Sequence, residues 1–309
     1  MKVLAKTKNM SREEWLKWRC KGIGGSDVSI IAGINKFKSV YELWMEKTGQ
    51  IETAETESEN AHFGSVLENV VKKEFMERTG YKVRAKHMLM QSEEHPYMIG
   101  DFDGVINDNG EFYIFEAKTA SAYRKNEFEE SVPPEYLLQC QHYLAISGYK
   151  KVFLAALIGG NHFVIHEIER DEVLIEGIIA MEKYFWEVNV LQGVEPEADG
   201  SEATTRFLNE RYDESNGETV QLPEEALTIL SRYDRVSSRL DELNRVKNSL
   251  SNQLKAYMED NEYGVVGDRK VSWKTIYKHD LDKKRLKEEQ PDLYKEYTSQ
   301  SIYRRLLVA

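Results

Sequence analysis

One four-residue stretch, Asn107-Asp-Asn-Gly110, constrains this chain more than any other. It separates two β-prone runs, Met98 to Ile106 and Glu111 to Lys118, and an Asn-Gly turn between such runs folds them into an antiparallel hairpin. The hairpin decides which side chains meet. Asp103, in Gly100-Asp-Phe-Asp-Gly104, falls beside Phe115-Glu-Ala-Lys118 on the returning strand. Strand residues i and i+2 share a face, so Glu116 and Lys118 project together.

That grouping has a chemistry. Two hard carboxylates, Asp103 and Glu116, suit Mg²⁺, which binds through one or two carboxylates and keeps waters and substrate phosphate as its other ligands. A lysine at the same point, Lys118, can orient or deprotonate an attacking water. Together they can hydrolyse a phosphodiester. Taken singly, an acidic residue two before a lysine is an ion pair or a solvated strand face. The set, with what surrounds it, carries the reading.

Local patterns place the rest. Ser11 to Trp18 reads as a helix capped by Ser11, with Glu14 at the capping-box position. A glycine-rich loop, Lys21 to Asp27, leads to a helix Asp27 to Ala32, with Ser26 as its expected N-cap and Gly33 as its stop. Val40 to Lys47 is helical. Residues 52–60 are acidic, without periodicity, and read as an exposed loop. His62 to Thr79 is a helix whose expected apolar stripe is Val66, Leu67, Val70, Val71 and Phe75. It carries Glu68. Pro134 to Ser147 is a helix carrying Gln139. Lys151 to Ile158 and Asn161 to Glu167 form a second hairpin, and Asp171 to Leu191 a closing helix. The order predicts an α/β (or α+β) fold with a central mixed sheet flanked by helices.

Arg19 stands seven residues before Ser26 across this loop, with Gly25 between them. A guanidinium, a hydroxyl and backbone N–H groups at a helix start make a phosphate cradle. The loop lacks the Gly-Lys-Ser/Thr of a P-loop and the dinucleotide pattern.

Three segments are expected: a core domain over 1–195, an acidic linker over 196–219, and a tail over 220–309. In the tail, Tyr233, Val236, Leu240, Leu243, Leu250, Leu254 and Tyr257 recur at spacings of three and four, broken at Lys247, which predicts a long amphipathic or coiled-coil helix. Residues 265–309 hold eleven Lys/Arg against seven Asp/Glu, in a 309-residue chain of formal charge −11. That acidity argues against nonspecific wrapping of nucleic acid but leaves room for a local basic groove. Two cysteines, Cys20 and Cys140, suit a reducing cytosol and exclude a four-cysteine cluster within one chain. Met1 to Met10 has three lysines and no apolar run, unlike a signal peptide, and no run reaches membrane-spanning length, so a cytoplasmic location is expected.

The full set, in order, is Trp15-x3-Arg19, Ile-Gly-Gly-Ser26-Asp, Phe-Gly-x3-Glu68, Asp103-Gly, Glu116-x-Lys118 and Tyr136-x2-Gln139-x-Gln141-x-Tyr143. Over about residues 11 to 190 it resembles the YqaJ-type viral recombinases, the phage lambda exonuclease-like family. The resemblance implies a PD-(D/E)xK, restriction-endonuclease-like core and Mg²⁺-dependent 5′→3′ digestion of double-stranded DNA ends, with Mn²⁺ as a substitute. It also implies a phage or prophage origin in a bacterial host, a toroidal trimer, and work alongside a single-strand annealing protein. Asp103 and Glu116 would hold metal and Lys118 would serve the water. Glu68 would assist a second metal, and Gln139 would position the water or lysine. Arg19, Ser26 and Gly25 would hold the 5′-phosphate end. Two departures stand out. Phe102 replaces the proline usual before the first motif aspartate, and Asp101 stands where a phosphate-binding serine is usual. The rival readings are a structure-specific endonuclease on the same core and a non-catalytic DNA-binding assembly protein.

Overall fold

In the computed structural model, which describes residues 1–51 and 59–308, the expected hairpin forms the middle of a mixed sheet. The chain opens with β1 (Lys2–Lys6), then α1 (Arg12–Arg19), α2 (Gly25–Ile31), α3 (Val40–Lys47) and α4 (Glu59–Thr79). Short strands follow: β2 (Val83–Arg84), β3 (Met88–Gln91) and β4 (Ile99–Asp101). The hairpin strands are β5 (Gly104–Asp108) and β6 (Glu111–Ala120). Next come α5 (Lys125–Glu130), α6 (Pro134–Ser147), β7 (Lys151–Ile158), β8 (His162–Glu169), α7 (Glu172–Tyr184) and α8 (Glu202–Arg211).

The main sheet has the order β2-β5-β6-β7-β8. β6 and β7 run parallel, and the other neighbours antiparallel. A parallel pair needs a crossover, which α5 and α6 supply. The turn joining β5 to β6 has Asn109 at φ 52° and Gly110 at φ 99°, the two left-handed residues that a tight hairpin requires. Alternation along β6 splits its side chains between two layers. Tyr113 and Phe115 pack with Val71 and Phe75 of α4. Ile114 packs on the other face with Val28 of α2 and with Cys140 and Leu144 of α6. The class is therefore α/β, a central mixed sheet flanked by helices, as expected.

Several local expectations change. The single strand expected from Met98 to Ile106 is two: β4 belongs to a three-stranded sheet, β1-β3-β4, and β5 to the main sheet, so the chain changes sheets at Phe102-Asp103. Ser26 does not cap α2. Gly24 occupies the N-cap, and the Asp27 carboxylate accepts its N–H at 2.9 Å. α4 begins at Glu59, before the expected His62, so only residues 52–58 of the acidic loop remain, and these lie outside the described residues. Val66 and Val70 of its expected stripe are exposed. The buried line is Val71, Lys72 and Phe75, because Val70 sits about 100° around the helix from Val71 and away from the sheet. The closing helix is α7 followed by a π-helical turn, Phe185–Leu191. Residues 202–211, expected as linker, form α8: Ala203 and Thr204 are buried and Phe207 packs edge-on to Tyr41.

Contacts divide the chain into two units, Met1–Leu208 and Asn209–Ala309. The second contains α9 (Glu225–Met258), a hairpin of β9 (Tyr263–Val266) and β10 (Arg269–Ser272), α10 (Lys283–Glu289) and α11 (Pro291–Glu296). No helix among the described residues is long and apolar enough to cross a membrane.

Candidate active site

The change of sheets at Phe102-Asp103 makes the site. β5 starts at Gly104, paired with Phe115, so beyond Phe115 the neighbouring edge of β6 has no strand against it. Asp103 covers part of that edge: its Oδ2 accepts the Ala117 N–H at 2.8 Å. Glu116, on the α6 face of β6, is 2 % exposed. Its Oε1 accepts from Lys118 Nζ at 2.7 Å and from Gln139 Nε2 at 2.8 Å. Lys118 also donates to Gln139 Oε1 at 3.0 Å, closing a ring of three side chains. Gln139 Nε2 donates further to the Tyr143 hydroxyl, 2.9 Å away. Glu116 Oε2 is buried and has no hydrogen-bond partner among the described residues.

α4 forms the opposite wall. Gly64, Ser65 and Glu68 face Asp103, Glu116, Lys118 and Tyr136 across a cleft of about 330 Å³. Glu68 is held by Lys72, one helical turn on, at 3.0 Å. Burial, then repulsion from Glu116, pushes the Asp103 carboxyl well above the usual range. Glu116 is raised by burial, partly opposed by Lys118. Burial alone would lower the Lys118 ammonium, but Glu116 and Asp103 outweigh it and raise it. Asp101 is raised by burial and by Glu68, against a hydrogen bond from Trp15.

These residues fit a divalent cation. Among the described residues no three His, Cys, Asp or Glu side chains form a metal cage. What is present is two adjacent carboxylates, one with a buried oxygen to spare. A buried acceptor without a donor is costly, and two close carboxylates repel. Mg²⁺ held by Asp103 and Glu116 would offset both penalties, with its other positions left to water and phosphate.

The expected phosphate cradle lies one helix away. Arg19 Nη2 donates to Ser26 Oγ at 3.0 Å and to Asp27 Oδ1 at 2.6 Å, and the guanidinium lies over Trp15, 5.2 Å from the ring centre. Lys47 Nζ donates to Asp27 Oδ2 at 2.8 Å and to the Arg19 and Gly22 carbonyls. Burial opposes ionisation of Asp27, but Arg19 and Lys47 hold its carboxyl far below the usual range. Gly25 is buried, and its place is set by packing: a Cβ there would lie 2.6 Å from the Tyr143 ring and 2.8 Å from Gln139 Cγ. Only glycine lets α2 approach α6 this closely. Gly25 thus links the Arg19 cluster to Gln139.

The structure therefore brings Asp103, Glu116, Lys118 and Gln139 together and sets Glu68 across from them. Arg19 and Ser26 meet each other. Sequence reasoning gave no role to Lys47, whose place in the last turn of a short helix looks like surface. Tyr143 has a signal, its i+4 spacing from Gln139 on one helix face.

Residues 14–150 match the model of the YqaJ-like viral recombinase domain. The uncharacterized protein YqaJ of Bacillus subtilis (strain 168) is 43% identical over 307 residues, spanning 98% of this chain and 96% of that one. The chain belongs to the YqaJ-like viral recombinase family. The alkaline exonuclease LHK-Exo from Laribacter hongkongensis aligns at a TM-score of 0.48 and 20% identity, over 57% of this chain and 91% of that one. A phage-related exonuclease from Haemophilus somnus 129PT aligns at 0.44 and 13%, over 56% and 96%. The matched domain of the family model contains each of Arg19, Ser26, Glu68, Asp103, Glu116, Lys118 and Gln139.

Proposed function

We propose that this YqaJ-like protein is a Mg²⁺-dependent exonuclease that digests double-stranded DNA from its ends, 5′→3′, to supply single strands for recombination by annealing. The observation that carries the reading is the unpartnered, buried Glu116 Oε2 beside Asp103 and Lys118. Asp103 and Glu116 hold the ion, with Glu68 available from the opposite wall. When bound, Mg²⁺ supplies charge neutralisation at the scissile phosphate and activation of a water. Gln139 holds Glu116 and Lys118 at fixed separation, so neither must reorganise when phosphate arrives. The Lys118 ammonium orients the attacking water. Arg19 and Ser26, on the adjoining helices, bind the terminal phosphate of the strand being digested. The reading also includes self-assembly and cooperation with a single-strand annealing protein in a cytoplasmic setting, on the strength of family membership.

Linear duplexes labelled at the 5′ or the 3′ end test the reading, with closed circular DNA as control. Release of the 5′ label first, in Mg²⁺ and not in chelator, supports it. Cutting of closed circles would favour the endonuclease. No cleavage with any divalent ion would favour a binding protein that has kept the fold.

A further inference from the structure

The second unit carries a feature that the proposed chemistry does not use. α9 is 34 residues long, and most of its apolar residues fall on a seven-residue repeat across five heptads, broken at Lys247. The a positions are Ala226, Tyr233, Leu240, Lys247 and Leu254. The d positions are Ile229, Val236, Leu243, Leu250 and Tyr257. From Tyr233 to Leu254 the flanking e and g positions are polar except Val246. Helices that pack on a globular core present a broad stripe, which extends to e or g. A stripe confined to a and d with a period of 3.5 is the seam of a coiled coil.

The rest of its own unit does not cover this seam. The eight apolar a and d residues from Ile229 to Tyr257 are 47 to 85 % exposed. At roughly 100 Å² each they amount to about 800 Å², which is what each partner contributes to a standard stable interface.

We propose that α9 forms a coiled coil with the α9 of a second copy of this chain. The pattern is self-complementary: every a layer but that of Lys247 finds an apolar layer in the same sequence, and in an antiparallel pair Lys247 lies against Val236 instead of against its own copy. Charge permits it. With the helices fully overlapped, Arg232 and Arg239, the basic g residues of the seam, face Ser237 and Asn244 in a parallel pair, or Gln253 and Val246 in an antiparallel one. No like charges meet across the flanks. Lys247 is the single polar residue in the seam. A lone polar residue at an a position lowers stability while fixing register.

Sedimentation of the full-length protein over a micromolar concentration series tests the proposal. The wild type should associate reversibly. Leu240→Asp with Leu250→Asp should raise its dissociation constant by about 100-fold, and Lys247→Leu should lower it by about tenfold, each tenfold being about 1.4 kcal/mol. A wild type that stays monomeric throughout overturns the proposal, as does a double variant that associates like wild type. Association through the first unit alone would give that second result. Should the double variant lose helical circular dichroism, Lys247→Leu decides, because it preserves the helix. An unchanged dissociation constant for that variant also overturns the proposal.

Discussion

Two of the clusters of buried charge in the first unit, those around Asp27 and Glu116, are opposites. Around Asp27, one carboxylate meets a guanidinium, an ammonium and a backbone N–H, and both of its oxygens are engaged. Around Glu116, two carboxylates share one lysine, and a buried oxygen goes without a donor. The titration directions follow. Asp27 is held far below the ordinary carboxylate range, while Asp103 and Glu116 are pushed above it. A saturated cluster is a structural clamp. An unsaturated one lowers stability, and on the reading proposed above a bound cation offsets that cost.

The predictions are ways to break that contrast. The largest effect is on catalysis. Asp103→Ala, Glu116→Ala and Lys118→Ala should each lower digestion of linear duplex by about 10³-fold or more while leaving the fold intact. Near-wild-type digestion by Glu116→Ala would remove the reading. Asp27→Ala should do the reverse kind of damage. Stranding Arg19 and Lys47 should cost about 3–5 kcal/mol in urea unfolding, as expected when a buried ion pair loses one partner. Since the folded Asp27 carboxyl is depressed, its contribution is present above the unfolded carboxylate range and fades as pH falls toward the folded value. Loss of cleavage without loss of stability in this variant would invert the comparison.

Gln139→Ala should lower cleavage by about 10- to 100-fold, the usual effect of removing a residue that orients metal ligands. A smaller effect separates the clusters most sharply. Asp103 is raised, so its ionisation costs stability, and the cost grows as pH rises through the unfolded and then the folded carboxylate range. Asp103→Asn should therefore stabilise the metal-free protein by about 1 kcal/mol near neutral pH, with no gain at acidic pH. Mg²⁺ should raise the melting temperature of wild type more than that of the variant. Equal metal-induced shifts would show that Asp103 is not a ligand. The smallest effect concerns Asp101. Asp101→Ser removes a negative charge near Arg19, and should favour 5′-phosphorylated over unphosphorylated ends by about tenfold, roughly 1.4 kcal/mol. An unchanged preference would place the terminal phosphate elsewhere.

Much of this was legible in the sequence because the signals are local. The Asn109-Gly110 turn fixes the pairing of β5 with β6, and with it the meeting of Asp103, Glu116 and Lys118. Helix spacing places Gln139 on the strand-facing side of α6. What escaped depends on contacts distant in sequence. Gly100, Asp101, Asp103 and Gly104 are poor strand formers and weaken the run from Met98 to Ile106, but nothing near them says that the chain changes sheets there. It is β3, itself paired with β1 on its other edge, that claims Ile99 to Asp101. Gly25 looks like a loop-former until α6 arrives against it. Lys47 looks solvated until Asp27 and two carbonyls close around it.

The position of Asp103 rests on the residue before it. Proline before this aspartate would fix the backbone covalently at any temperature. Here Phe102 is 2 % exposed and meets Tyr143 edge-on, with ring centres 5.0 Å apart. Tyr143 in turn receives the hydrogen bond of Gln139. Asp103, the proposed metal ligand, is thus aimed by the interior, not by a ring closed on the chain, and such aim lasts only while side chains stay interlocked. On warming, the geometry at Asp103 and the ordering of the aromatic interior should be lost together, so that the ability to grip metal becomes a thermometer of the core.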